Sequence, residues 1–264
     1  MGAAIAAIIT AAGSSSRMAG QMGSIKKEYL SLPSLSKDNK PLTVLGSAVS
    51  AFVSCPQIGP IIITIPPGGE NAALASLPEE LRHAEPGAGE SRILFVTGGP
   101  SRRSSVHNAL SRLETSNASH VLIHDGARPW VSRDMIEKII QAAIRYGAVI
   151  PALPLTETPK ELDCTTNADS MEEKDRQVRF VKRHLKRAEL CGAQTPQGFR
   201  FPEILRAHEK AAKKEEEARD AGKIIEYTDD AEVWGEFIGK VAVIAGDPEN
   251  RKITYPEDLE YASK

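Results

Sequence analysis

Long apolar runs are missing from this chain. No stretch of its 264 residues approaches the ~20 consecutive apolar residues that a membrane span requires. The opening apolar segment has no basic residues before it, so it reads poorly as a secretory leader. Ala6 stands where a myristoylation pattern starting at Gly2 needs Ser or Thr. Cysteine is scarce. Cys55, Cys164 and Cys191 are the only three, and none forms a C-x-x-C pair. That argues against a disulfide framework or a structural zinc site and points to a reducing, cytoplasmic setting. Positive charge is not in excess, with 33 basic and 35 acidic residues and a net charge of −2. A whole-surface nucleic-acid binder would be more basic, so an anionic ligand here has to be held by a local cluster. Two phosphate-binding signatures are absent too. The stretch GSSSRMAGQMGSIKK at 13–27 does not supply G-x-x-x-x-G-K-[ST], and the first turn lacks G-x-G-x-x-G. A P-loop ATPase and a dinucleotide-dependent dehydrogenase both lose their main support.

What is present is an alternation of short apolar runs with helical patterns. Strands are predicted at 3–9, 60–65, 93–97, 120–124, 148–153 and 240–245, several of them continuous apolar runs suited to burial on both faces. Helices are predicted at 41–54, 101–113, 132–147 and 201–222, with Ser132 as an N-cap and Gly147 as a stop. This βαβ rhythm predicts an α/β fold with a mostly parallel sheet, in one domain spanning 1–264. Residues 155–195 break the rhythm with a polar, turn-rich segment and predict a projecting hairpin or arm. The charge run KKEEEARD at 213–220 reads as a solvated helix face with i,i+4 pairs.

Several polar stretches follow strands. AAGSSSRM at 11–18 is a loop rich in N–H and hydroxyl donors, followed by Lys26 and Lys27; such a loop suits a polyphosphate, although small-residue loops with surface cations are common. TGGPSRRSSV at 97–106 is a second glycine turn opening a helix. HDGARPW at 124–130 places Asp125 and Arg128 beyond a third strand. In an open α/β sheet all three fall outside the carboxyl ends of strands, where ligands bind. Taken alone, Lys27 and Lys252 would each read as a solvated lysine, Asp125 as a loop-capping carboxylate, and His124 as structural. Arg102 reads equally as a phosphate ligand or a helix-terminal surface arginine. Asp229 and Asp230 read first as caps of a helix beginning near Ala231.

These stretches, with RAELCGAQTPQGF, YTDDAEV and GDPENRKITYPEDL downstream, resemble in order the motifs of the 2-C-methyl-D-erythritol 4-phosphate cytidylyltransferases over about residues 5–259. The family's A-A-G-x-x-x-R-M is similar to 11–18, its P-K-Q-Y-L to KKEYL, its G-G-x-x-R-x-x-S-V to GGPSRRSSV, its H-D-A-A-R-P to HDGARP, its T-P-Q to 195–197, and its N-x-K-[IV]-T to NRKIT. Departures are Lys26 in place of proline, Ser15 and Ser16 where glycines are frequent, ETPK at 157–160, and long segments at 32–41 and 163–180. The resemblance implies a three-layer Rossmann-like nucleotidyltransferase fold with a β-arm. It implies transfer of a cytidylyl group from CTP to the methylerythritol phosphate with release of pyrophosphate. Arg17, Lys27 and Lys252 become the catalytic cations. Ala12, Gly13, Gly99, Arg102, Ser105 and Asp125 become nucleotide-binding, with Asp125 also a ligand for Mg2+ or a similar divalent ion. Arg128, Arg187, Thr195 and Thr228 become acceptor-binding. It further implies a homodimer joined through the arm, with neither nucleic acid nor membrane as partner. A cytidylyltransferase for another polyol phosphate, such as ribitol 5-phosphate, is the nearest rival, and a non-enzymatic nucleotide-binding protein a more distant one. The incoming phosphomonoester is already largely dianionic at neutral pH, so this chemistry asks for positioned cations rather than a strong general base.

Overall fold

The computed structural model describes residues 4–13, 26–33, 42–82, 92–163 and 178–263. Their elements run in chain order as β1 (Ile5–Thr10), α1 (Val44–Val53), β2 (Ile58–Ile65), α2 (Glu70–Ser76), α3 (Glu79–Arg82), β3 (Ile93–Thr97), α4 (Arg102–Arg112) and β4 (His120–Asp125). There follow α5 (Arg133–Tyr146), β5 (Ala148–Pro154), β6 (Lys160–Leu162), β7 (Val181–His184), β8 (Cys191–Ala193) and β9 (Gln197–Arg200). The chain closes with α6 (Glu203–Asp220), α7 (Asp230–Phe237) and β10 (Ala242–Ala245).

The central sheet has the order β10-β5-β9-β4-β1-β2-β3, with β8 also paired to β5. β1 pairs in parallel with both β2 and β4, β2 with β3, and β5 with β10. Strands 120–125 and 148–154 are not neighbours, because β9 lies antiparallel between them. The chain leaves β1 toward β2 and β3, then returns to β4 on the other flank. The order therefore reverses between β1 and β4, and the crevice outside their carboxyl ends is the place for a ligand.

Successive side chains of a strand point to opposite faces, and β1 shows both faces buried. Ile5, Ala7 and Ile9 pack with Leu45, Val49 and Phe52 of α1 and with Ile136, Ile139 and Ile140 of α5. Ala6 and Ile8 pack on the other side with Val106 and Leu110 of α4, Ile204 of α6 and Trp234 of α7. Helices thus cover both faces of the sheet, which is why its strands read as continuous apolar runs rather than alternating ones. The predicted N-cap and stop of α5 hold: Ser132 accepts from the Met135 N–H, and Gly147 ends α5 at a φ of 82°, a conformation that costs glycine little. Lys213 pairs with Glu217 at 3.8 Å on the exposed face of α6, as the charge run predicts. No helix among the described residues is long and apolar enough to cross a membrane.

The predicted arm is only partly set apart. β6 and β7 form an antiparallel two-stranded sheet separate from the central one. β8, inside the same span, returns to pair with β5, Leu153 opposite Gly192. The stretch 164–177 lies outside the described residues, as does Cys164; Cys55 is buried and Cys191 exposed, both as free thiols.

Candidate functional site

A cleft of about 580 Å³ opens at the carboxyl ends of the central strands, bordered by Thr10, Ala12, Gly13, Thr64, Gly99 and Asp125, with Lys27, Arg102, Ser105 and Lys252 around them. Its floor is set by close backbone approach. A Cβ on Gly98 would lie 2.4 Å from the Ala12 Cβ, and one on Gly99 would lie 2.3 Å from the Ser104 Oγ. Glycine at 98 lets the turn after β3 sit against Ala12 in the turn after β1, and glycine at 99 lets it sit against Ser104 in the first turn of α4. α4 then starts on a capping box: the Ser101 Oγ accepts from the Ser104 N–H, and the Ser104 Oγ accepts from the Ser101 N–H. The Ser105 hydroxyl accepts from the Gly99 N–H at 3.0 Å and donates to the Ser101 carbonyl at 2.8 Å, which fixes it at the cleft wall. Lys26 Nζ donates to the Gly13 carbonyl, so the described residues on either side of 14–25 meet. Burial lowers the Lys26 pKa against the opposing pull of Glu28.

Asp125 is the centre of charge. Lys252 Nζ lies 2.8 Å from its Oδ2, Arg102 Nε 3.4 Å from its Oδ1, and Arg128 Nε 3.8 Å from its Oδ2. Burial alone would raise its pKa, but the nearby Arg102, Lys252 and Arg128 outweigh this and hold the carboxyl well below the usual range. The segment carrying Lys252 is pinned from several sides. Arg128 Nη1 donates to the Asn250 carbonyl at 2.7 Å, and Asn250 Nδ2 to the Thr195 carbonyl at 2.7 Å. Lys27 is buried and its Nζ donates to the Ile253 carbonyl at 2.8 Å. The two lysines predicted from separate motifs, 225 positions apart, therefore meet at one wall.

Behind Asp125 lies a closed relay of hydrogen bonds. The Thr195 hydroxyl accepts from the Asp125 N–H at 3.0 Å and lies 3.1 Å from His124 Nδ1, while His124 Nε2 lies 3.1 Å from the Arg128 carbonyl. A carbonyl can only accept, so Nε2 carries the proton and Nδ1 accepts from Thr195. Burial keeps this imidazole neutral, its pKa pushed down to about 4. His124 is structural, as its motif suggested.

The other residues singled out from sequence fall in three places. Arg17 lies outside the described residues. Thr195 is buried in the relay and Arg128 against Asp125, both adjoining the cleft rather than lining it. Thr228 is exposed, bonded to Glu232, and borders a second, adjoining hollow of about 440 Å³. Arg187 sits on a short 3-10 turn, exposed, donating to the Thr156 carbonyl. Asp229 caps α7, accepting from the Glu232 N–H at 2.9 Å. Asp230 does not cap: it is buried, 2.8 Å from Arg102 Nη1 and 3.3 Å from His208 Nε2. Sequence reasoning missed Thr10, whose hydroxyl is 3.5 Å from Asp125 Oδ1, and the Asp230–His208 pair. A threonine ending a strand at the switch point was the available signal for the first.

No group of three His, Cys, Asp or Glu side chains able to hold a metal occurs among the described residues. The cleft is lined by the carboxylates of Asp125, Glu28 and Glu226, and Mg2+ keeps most of its waters and binds through one or two carboxylates plus substrate phosphates. A larger hollow of about 900 Å³ lies between α5 and the end of β10, away from both glycine turns.

The family profile of the 2-C-methyl-D-erythritol 4-phosphate cytidylyltransferases, IspD, matches residues 5–264. The chain is similar to the 2-C-methyl-D-erythritol 4-phosphate cytidylyltransferase of Pelotomaculum thermopropionicum, 34% identical over 98% of this chain and 92% of that protein. It is also 34% identical to the bifunctional enzyme IspD/IspF of Brucella abortus, over 84% of this chain and 49% of that protein. The chain thus spans about half the length of such bifunctional relatives. Among solved structures it is similar to the cytidylyltransferase from Francisella tularensis, with a TM-score of 0.70, 26% identity and 98% of each chain covered. The corresponding enzyme from Thermus thermophilus gives a TM-score of 0.64 and 28% identity over 97% of this chain and 96% of that one.

Proposed function

The chain belongs to the 2-C-methyl-D-erythritol 4-phosphate cytidylyltransferase family, and from that premise we propose that it transfers a cytidylyl group from CTP to 2-C-methyl-D-erythritol 4-phosphate. A phosphate oxygen of the acceptor attacks the α-phosphorus of CTP. The bond to the bridging oxygen of the β-phosphate breaks, and pyrophosphate leaves with that electron pair. The observation that carries this reading is the convergence of Lys27, Lys252, Arg102 and Asp125 on one cleft between two glycine turns.

In this mechanism Lys27, Lys252 and Arg17 offset the charge that builds on the α-phosphate as two anions meet. The backbone at Ala12 and Gly13 faces the triphosphate, while Gly99 and Ser105 face the cytosine. A bound Mg2+ would neutralise triphosphate charge beside Asp125. Asp125 holds Lys252 and Arg102 in place, so neither cation has to search for the substrate. Arg128, Arg187, Thr195 and Thr228 serve the acceptor. The working unit is a two-fold homodimer joined by the β6–β7 hairpin, in the cytoplasm. What supports the dimer is the exposed apolar set Leu162, Phe180 and Val181 on that hairpin and beside it, which a lone two-stranded ribbon leaves in water. Phosphorus NMR of CTP with either acceptor tests the reaction: pyrophosphate and a diphosphate-bridged product are expected from the methylerythritol phosphate. Product from ribitol 5-phosphate alone would move the assignment to that acceptor.

A further inference from the structure

We propose that Asp230, backed by His208, is a positioning residue that holds the Arg102 guanidinium at the nucleotide side of the cleft. The proposal rests on the reading above, in which Arg102 meets a nucleotide, and adds a residue to it.

Arg102 is gripped from two directions. Its Nε reaches Asp125 Oδ1 at 3.4 Å, while its Nη1 reaches Asp230 Oδ2 at the shorter distance of 2.8 Å. Asp125 is not a dedicated partner, since Lys252 and Arg128 share it. When a ligand draws on Asp125, Arg102 needs another anchor to stay in place, and Asp230 supplies it. Asp230 itself is 1% exposed at the first turn of α7. His208, fully buried on α6, places Nε2 3.3 Å from Asp230 Oδ1, a close polar contact rather than an aligned hydrogen bond. The two contacts orient the carboxylate from two helices at once. Arg102 keeps a quarter of its side chain exposed, at the cleft border, with guanidinium donors left over for a ligand. Burying a carboxylate for stability alone is a poor bargain, because an apolar replacement commonly folds as well or better. A geometric role accounts for its place.

The test is a set of variants, Asp230→Asn, Arg102→Met and the double substitution, assayed for kcat, the KM for CTP and melting temperature. Asp230→Asn should lower kcat/KM for CTP by about 10–100-fold, and Asp230→Glu should recover part of the loss. In the Arg102→Met background the Asp230→Asn change should alter kcat/KM less than about 2-fold, because the group it positions is gone. If Asp230→Asn alone fails to fold, the double variant buries no unpaired charge and its comparison with Arg102→Met still decides. Wild-type kcat/KM in a folded Asp230→Asn variant overturns the proposal, as does an equal loss in both backgrounds. Should the wild-type protein turn over no nucleotide, the parent reading fails, and side-chain nitrogen NMR decides for Asp230 separately. Faster exchange of the Arg102 Nε proton in Asp230→Asn supports it, and unchanged exchange overturns it.

Discussion

Lys27 and Lys252 each look ordinary in sequence. What distinguishes them is that Lys27 donates to the carbonyl of Ile253, the residue next to Lys252, while Lys252 pairs with Asp125, so both meet at one wall. Lys27→Ala and Lys252→Ala should each lower kcat by roughly 10²-fold if they act on transition-state charge, with a modest fall in melting temperature because each leaves a buried partner unpaired. A kcat near wild type in either would mean that the lysine only binds. His124 gives a pH prediction instead. The unfolded chain takes up a proton on it near 6.5, the folded chain only near 4, so between these values the unfolded state binds more protons. Stability from this group is complete above about pH 6.5 and falls by about 3 kcal/mol as the pH drops toward 4. His107 and His120 are also lowered, by burial, and add to the same slope. Urea midpoints across pH 4–7 should show that slope, and His124→Gln should flatten it; an unchanged slope would show that burial does not hold the ring neutral. Lys27, Lys252 and Asp125 were legible because each lies in a short ordered motif. The Asp230–Arg102 pair and the Thr195–His124 relay were not, since their partners are 128 and 71 positions apart and no local pattern links them.

At the level of elements, long periodic segments could be read and short ones could not. α5 was legible from its apolar spacing and from Ser132 and Gly147 at its ends. β9 was missed. Its four residues, Gln-Gly-Phe-Arg, have no strand pattern of their own and owe their conformation to β4 and β5 on either side. The strand matters out of proportion to its length. Phe199 is fully buried and packs on Trp234 with ring centroids 5.7 Å apart, joining the sheet to α7. Phe199→Ala should cost about 3–5 kcal/mol in chemical denaturation while leaving turnover per folded molecule near wild type. A loss under about 1 kcal/mol would mean that β9 is not part of the cooperative core. The arm was legible only as a break in rhythm. Its return through β8 to β5 depends on pairing across about 40 residues, which composition does not encode.

At the scale of the whole molecule, every group around the cleft has to serve one reaction. Arg187 is exposed and away from the cleft lining of its own chain, so its proposed acceptor contact needs the partner subunit. Mixing Arg187→Ala with Lys27→Ala subunits should restore activity, because one of the two hybrid sites then carries neither substitution. Mixtures that stay inactive after verified subunit exchange, or an active monomer in light scattering, would rule out the shared dimer site. If the cleft between the two glycine turns performs the proposed CTP-dependent cytidylyl transfer, pyrophosphate release reads it directly. With the methylerythritol phosphate as acceptor and each of the four nucleoside triphosphates in turn, the wild-type protein is predicted to release pyrophosphate with CTP and only weakly with the others, because a close backbone turn and one fixed hydroxyl leave room for a pyrimidine. Equal release with ATP or GTP, or none with CTP, would contradict it.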